Sequence, residues 1–491
     1  MPAPPNIVLL LCDNQRLDTL GLLGKTPCQT PTWDRIAGDG VLFENLRTTC
    51  PMCAPARASI FTGFQPQQAG ITTNFAPVMA TAKPRNRREG AGPGSEALQI
   101  ARPPLSHYLR QAGYQCLYSG KWHAGTDNVH EWFDIATACD HQNRDYSEWC
   151  KAQGIRDGRV FHDPDKIRAQ PYRSVHYPHM TVPHTGVLDI PEEKEFNRWV
   201  LDHAFELFGV RDRDAPFFMA VSFEGPHPPL MVPAAYHDLY DHRQIPQPPN
   251  WQSTPGEPGF LKDSYYRKLR DEWGRDFDAW RKPTAVYWGF VTYIDHLFGR
   301  FVERLEEEGL SDNTLLVMLS DHGEMMGQHG LWQKFCPYEE ALRVPWAMRW
   351  PGVIPPGGRC TMDASHVDVA ATLLAAAGVE VEALKLEGED LMPYLVGQRP
   401  ERDARECFSQ YNVVQSFSDG WHGIENWRMI FRRPWKFVLH ENGERELYNL
   451  ASDPHEQLNV ADDRDAASMQ ATLREDLMTW CRRTGDGFRG S

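Results

Sequence analysis

A chain of 491 residues can bury a sizeable core, and 41% hydrophobic with 24% charged residues is the balance of a globular enzyme. Its formal charge of −15, with neither Lys nor Arg in a run of five, excludes a nucleic-acid binder built on a basic face. No stretch of about 18 apolar residues occurs, which excludes a membrane-spanning helix.

The N-terminus, Met1-Pro2-Ala3-Pro4-Pro5, has no basic region or small-residue cleavage site, so a cytoplasmic enzyme is expected, or a periplasmic one if a leader was removed. The first apolar run, Asn6–Cys12, reads as a strand buried on both faces and ends in Asp13-Asn14. Three more such runs follow: Gln115–Tyr118, Phe217–Phe223 and Thr314–Leu319. They lead into Gly120-Lys121-Trp122-His123, Glu224-Gly225-Pro226-His227 and Asp321-His322-Gly323. Apolar runs and helical patterns alternate to about residue 380, the mark of an α/β protein with a large, mostly parallel sheet sandwiched by helices. In such sheets ligands bind beyond the carboxyl ends of the strands, so four strands should carry carboxylates, imidazoles and an ammonium to one edge.

Between the first two runs lies Cys53-Ala54-Pro55-Ala56-Arg57-Ala58-Ser59, a proline-bounded turn entering a helix over Ala56–Thr62. A helix N-terminus favours anions and lowers thiol pKa values, so Cys53 is a candidate nucleophile with Arg57 one turn away as an anion clamp. The bland alternative is a small buried Cys beside a structural Arg. The eleven cysteines are scattered rather than spaced as a disulfide framework, and the one close pair, Cys50 and Cys53, has no second pair to complete a zinc site.

The segment Asp127–Glu192 is long, polar and rich in Tyr, Trp and His, including His141, His162, His176, His179 and His184. It reads either as a substrate-shaping insertion or as a solvated surface excursion. Asp295–Glu307 has apolar residues at helical spacing and reads as a packing helix without chemistry. A catalytic domain over residues 1–400 then gives way to a smaller C-terminal α+β subdomain over 401–491. Short strands are expected there at Trp427–Phe431, Lys436–His440 and Glu446–Leu450, followed by an amphipathic helix at Ala466–Thr484.

Cys-x-Pro-x-Arg followed by Ala-Ser resembles the modification signature of the formylglycine-dependent sulfatases of the alkaline phosphatase superfamily. Asp13-Asn14-Gln15-Arg16, Gly120-Lys121-Trp122-His123, Pro226-His227-Pro228, Ser320-Asp321-His322-Gly323-Glu324 and Gly330-Leu331-Trp332-Gln333-Lys334 follow in that family's order. Glu446–Leu450 with Asp453-Pro454 resembles its C-terminal signature, so the likeness runs from residue 6 to about 463.

The resemblance implies that Cys53 is oxidised to formylglycine by a formylglycine-generating enzyme. One hydroxyl of the hydrated aldehyde then attacks sulfur, and deprotonation of the other releases sulfate from the covalent hemiester. It implies one divalent cation held by Asp13, Asn14, Asp321, His322 and an oxygen of residue 53. Oxygen-rich ligands favour Ca²⁺, while Asn14 and His322, where many members have Asp and Asn, bring Mn²⁺ close behind. Arg57, Lys121 and Lys334 would hold sulfate oxygens, His123 would be the base and His227 the acid for the leaving alcohol, and Asn74 a substrate contact. The expected partner is a small-molecule or carbohydrate sulfate ester, with no nucleic acid and no membrane; a homo-oligomer is left open. A phosphonate monoester or phosphodiester hydrolase on the same scaffold is the alternative, and Thr48-Thr49-Cys50 is similar to such enzymes. A non-catalytic binding protein has little need for the modification motif with both lysines, and a two-metal phosphatase should supply more ligands than this single set.

Overall fold

The computed structural model describes residues 4–74, 99–125, 129–139, 144–155, 185–251, 257–259, 277–400, 402, 405–412 and 425–490. The five histidines of the expected insertion, His141, His162, His176, His179 and His184, lie outside the described residues.

Fourteen strands are described: β1 (Asn6–Cys12), β2 (Val41–Arg47), β3 (Gln115–Gly120), β4 (Ile135–Thr137), β5 (Thr185–Val187), β6 (Phe217–Ser222), β7 (Leu230–Val232), β8 (Thr314–Ser320), β9 (Trp346–Arg349), β10 (Gly358–Ser365), β11 (Cys407–Tyr411), β12 (Trp427–Arg432), β13 (Trp435–His440) and β14 (Arg445–Asn449). Eight form one sheet in the order β10-β2-β9-β8-β1-β6-β3-β4, with only β9 running antiparallel to its neighbours. The four strands read from the sequence, β8, β1, β6 and β3, are contiguous and parallel in its middle.

Their continuous apolar character follows from burial on both faces. In β1, Val8, Leu10 and Cys12 join one core cluster while Ile7, Leu9 and Leu11 join the other, and β8 alternates in the same way. Each such fully buried aliphatic side chain contributes roughly 1.5–3 kcal/mol. The helix Asp278–Glu307 covers the first face, and helices Cys53–Thr62 and Val367–Ala376 the second. The packing helix is thus longer than Asp295–Glu307, beginning 17 residues earlier and carrying Pro283 inside its second turn.

The strands β11 to β14 form an antiparallel sheet in sequence order, packed through Ile430, Phe437, Leu439 and Leu447 on Leu473, Leu477 and Trp480 of the helix Ala467–Thr484. Among the described residues no helix is long and apolar enough to cross a membrane.

Candidate active site

Because β8, β1, β6 and β3 are parallel and in register, their carboxyl ends share one edge: Cys12 pairs with Ser320, and Leu11 and Gly120 both pair with Ser222. Asp13-Asn14, Lys121 to His123, Glu224 to His227 and Asp321-His322 therefore converge. β2 runs in the same direction and brings Thr48 to Cys53 to that edge from the far side of β8.

The helix begins at Cys53 itself, one turn earlier than the sequence suggests, because Pro55 is tolerated in a first turn where its missing N–H has no partner to lose. Alanines at 54, 56 and 58 let the helix pack closely, and Gly63 ends it in the left-handed conformation (φ 73°). The Asn74 side-chain oxygen accepts the Ala54 N–H at 2.9 Å, so Asn74 caps the start of this helix.

Around the buried Cys53 Sγ lie His322 Nε2 at 3.1 Å, Lys334 Nζ at 3.3 Å, Asp13 Oδ1 at 3.6 Å and Lys121 Nζ at 4.0 Å, and His123 also hydrogen-bonds this side chain. Burial alone would push the thiol up, but the positive charges around it, Lys121 and Lys334 foremost, outweigh it and hold Cys53 well below the usual thiol range. Burial and the neighbouring Cys53 likewise act to raise Asp13, yet Lys121, His227 and Arg57 keep it below the ordinary carboxylate range. Asp321, buried beside Asp13, is raised.

Arg57 is fully buried. Its Nε donates to Asp321 Oδ2 at 2.8 Å and its Nη2 to Asp13 Oδ2 at 3.1 Å, while Nη1 reaches Lys121 O at 2.8 Å and Ser222 Oγ at 2.7 Å. Four of the five guanidinium N–H donors thus hold protein acceptors, and the group braces the two carboxylates from behind. Lys121 Nζ sits 2.7 Å from Asp13 Oδ2. His227, half-buried, donates Nδ1–H to Pro228 O at 2.6 Å, so Nε2 is the ring nitrogen outside that bond.

The ligand atoms of Asp13, Cys53, Asp321 and His322 all lie within 4.8 Å of one another and are buried. Ligands at 2.1–2.5 Å on opposite sides of a cation are separated by about 4.2–5 Å, so the group has the right size. His322 donates Nδ1–H to Gly323 O at 3.0 Å, which turns the Nε2 lone pair toward Asp13 Oδ1 at 3.5 Å and Asp321 Oδ1 at 3.6 Å. Asn14 holds a left-handed backbone (φ 75°); its Nδ2 donates to Glu324 Oε2 at 2.8 Å while its buried Oδ1 has no hydrogen-bond partner. An orphaned buried carbonyl beside two carboxylates and an imidazole lone pair fits a divalent cation.

Sequence reasoning assigned no role to Glu324, which orients the Asn14 amide, to Ser222 against Arg57, or to Tyr287, whose hydroxyl donates to Asn14 O at 2.8 Å. Glu324 and Ser222 stand within or beside the recognised motifs; Tyr287 lies in a helix with no local sign of function.

The sulfatase family model matches residues 5–379, and the model described as N-sulphoglucosamine sulphohydrolase, C-terminal, matches 327–483. An arylsulfatase of Clostridium perfringens is 26% identical over 99% of this chain and 96% of its own. The phosphonate monoester hydrolase of Agrobacterium radiobacter superposes with a TM-score of 0.75 at 22% identity, covering 98% of this chain and 96% of its own. An enzyme solved in complex with its substrate D-glucosamine-2-N,6-O-disulfate superposes with a TM-score of 0.73 at 22% identity, covering 99% of each chain. With three quarters of its length matched by one family model and the site at the expected sheet edge, the chain belongs to the sulfatase family of the alkaline phosphatase superfamily and is by that membership a sulfuric ester hydrolase.

Proposed function

We propose that the protein hydrolyses sulfate monoesters, with formylglycine made from Cys53 as the nucleophile and one divalent cation among Asp13, Asn14, Asp321 and His322. The observation that carries this reading is the setting of Cys53. It is the first residue of a helix, shares a buried cluster with both carboxylates and His322, and has Lys334 at 3.3 Å and Lys121 at 4.0 Å. Formylglycine would supply a geminal diol, one hydroxyl to attack sulfur and a second whose deprotonation releases sulfate. The cation would polarise a sulfate oxygen and is assigned as Ca²⁺, with Mn²⁺ next, on the strength of one imidazole among oxygen donors.

This chain's residues then divide the work. Lys121 and Lys334 hold the terminal oxygens and stabilise the charge that builds on them. Arg57 acts by fixing Asp13 and Asp321 rather than by touching sulfate, since four of its five donors are taken up by those carboxylates, Lys121 O and Ser222 Oγ. His123, already hydrogen-bonded to residue 53, takes the proton in the release step, and His227 Nε2 gives one to the leaving alcohol. Asn74 supports the helix start. Carbohydrate and aromatic sulfates are the substrate classes, with segment 127–192 selecting among alcohols.

Peptide mass spectrometry across Cys53 of protein that turns over 4-nitrophenyl sulfate tests the reading. The aldehyde form is expected in the active fraction. A fully active preparation holding only the thiol would overturn it.

A further inference from the structure

We propose that Trp427, in the C-terminal sheet, is a positioning residue for Lys334, so that the small sheet forms part of the catalytic apparatus. The inference rests on the reading of Lys334 as a sulfate contact.

Lys334 lies in an irregular loop yet is only 3% exposed and delivers its ammonium to within 3.3 Å of Cys53 Sγ. The backbone that achieves this is strained on both sides of it. Gln333 (φ 64°) and Phe335 (φ 82°) both occupy the left-handed region, which neither side chain favours and an aromatic residue disfavours strongly. Such conformations persist only where the surroundings over-determine them.

Two hydrogen bonds do so here, one on each flanking carbonyl. Gln333 O accepts the Met325 N–H at 2.6 Å, and Phe335 O accepts the Trp427 indole N–H at 2.9 Å. The first clamp belongs to the loop itself. The second comes from another sheet. Trp427 is fully buried on β12, between β11 and β13, and is paired with Tyr411 on one side and His440 on the other, so its indole is a fixed anchor.

Burial of an indole does not require such a bond in this protein. Trp33, Trp332 and Trp346 are just as buried, and none of their N–H groups has a hydrogen-bond partner. Trp427 is therefore aimed at the Lys334 loop rather than merely packed. The same sheet supports the anchor twice more, with Lys436 Nζ donating to Pro337 O at 2.7 Å and Gln410 N to Thr49 O at 2.9 Å. It thus grips the segments that carry both members of the Cys53–Lys334 pair.

The test is a cycle of Trp427→Phe and Lys334→Ala in protein modified at Cys53, read as kcat and KM for 4-nitrophenyl sulfate. Trp427→Phe keeps an aromatic ring and deletes the N–H. It is expected to lower kcat about 10- to 100-fold with KM changed less than about threefold, the cost of a displaced charge in the transition state. In the Lys334→Ala background the same change should alter kcat less than about twofold, because the group it positions is gone. Equal losses in both backgrounds, or an unchanged kcat in the single variant, would overturn the positioning role. Undiminished kcat in Lys334→Ala would instead remove Lys334 from the reaction and this proposal with it. Should Trp427→Phe fold poorly, 3-benzothienylalanine placed at 427 keeps the bicyclic shape without the N–H and must give the same pattern.

Discussion

Among the described residues two groups combine a histidine with carboxylates at metal-binding distances: Asp13, Cys53, Asp321 and His322 at the sheet edge, and His329, Glu340 and Glu456. Their settings differ in where positive charge comes from. In the second group the fully buried Lys436 ammonium lies against Glu456 and 3.5 Å from Glu339, and donates to Pro337 O. Glu340 accepts a hydrogen bond from Asn250 at 3.3 Å, and His329 stacks on Tyr338 at 3.8 Å. A lysine ammonium thus lies against one of its two carboxylates. At the sheet edge Arg57 braces Asp13 Oδ2 and Asp321 Oδ2, Lys121 also meets Asp13 Oδ2, and Asp321 Oδ1 accepts the Asn14 and His322 backbone N–H groups, while Asn14 Oδ1 has no hydrogen-bond partner. Proximity of acids and imidazoles therefore does not by itself define a metal centre; what sets the sheet-edge group apart is the buried Asn14 Oδ1 beside it, an amide carbonyl left without a hydrogen-bond partner.

The sharpest way to break this contrast is to remove one carboxylate from each group. Asp321→Ala should drop bound divalent metal from one per chain toward zero and cost several kcal/mol of transition-state stabilisation, roughly 1,000-fold in kcat/KM. Glu456→Gln should leave the metal content at one. Elemental analysis of the dialysed proteins decides it, and stoichiometric metal retained in Asp321→Ala would refute the ligand assignment. The complementary change is Lys436→Met. If that ammonium is what neutralises the second group, its removal strands a buried carboxylate and should cost about 3–5 kcal/mol in denaturant unfolding while the folded protein keeps its metal. A variant as stable as the parent would mean that the group carries no uncompensated charge.

The same contrast shows what a sequence can disclose. The four central strands were legible because burial on both faces demands short, continuous apolar runs, and each ends where the chemistry begins. β2, β9 and β10, on the flank of the sheet, were not. Glu44 and Asn45 interrupt the apolar run of β2 with two half-buried polar residues, one on each face, and β10 alternates exposed and buried positions in its first half. Pro55 and Pro283 masked two helix starts, because a proline reads locally as a breaker but is accommodated near an N-terminus. Cys53, Asp13, Asp321, His322, Lys121 and Lys334 were legible as motif members, and the structure brings them together. The orientation of Arg57, the Glu324–Asn14 bond and the Trp427–Phe335 bond were not. The two bonds join residues 310 and 92 positions apart, and no periodicity or motif encodes which distant donor will find which carbonyl.

The bracing role proposed for Arg57 also sharpens the expected substrate preference, the smallest of the predicted effects. On the proposed reading, with four of the five Arg57 donors held by protein acceptors, the terminal oxygens of the substrate would fall to three positive partners, Lys121, Lys334 and the cation. A sulfate monoester offers three terminal oxygens and can satisfy all of them. A phosphate diester or a phosphonate monoester offers two, so its remaining substituent would have to face one of these charges. Removing one well-placed charged partner from a desolvated transition state costs on the order of 2–4 kcal/mol, roughly 30- to 1,000-fold in rate. Comparing kcat/KM for 4-nitrophenyl sulfate with a phosphate diester and a phosphonate monoester of 4-nitrophenol, at matched metal and Cys53 modification, measures this directly. A preference of about tenfold or more for either phosphorus ester, about 1.4 kcal/mol in the opposite sense, would move the chemistry to the phosphonate and diester branch of the scaffold. Lys121→Ala gives the internal control. If the lysine meets a third oxygen, the variant should lose more on the sulfate than on the diester, and the two substrates should draw closer together. Equal losses on both would mean that Lys121 serves Asp13, 2.7 Å away, rather than the substrate.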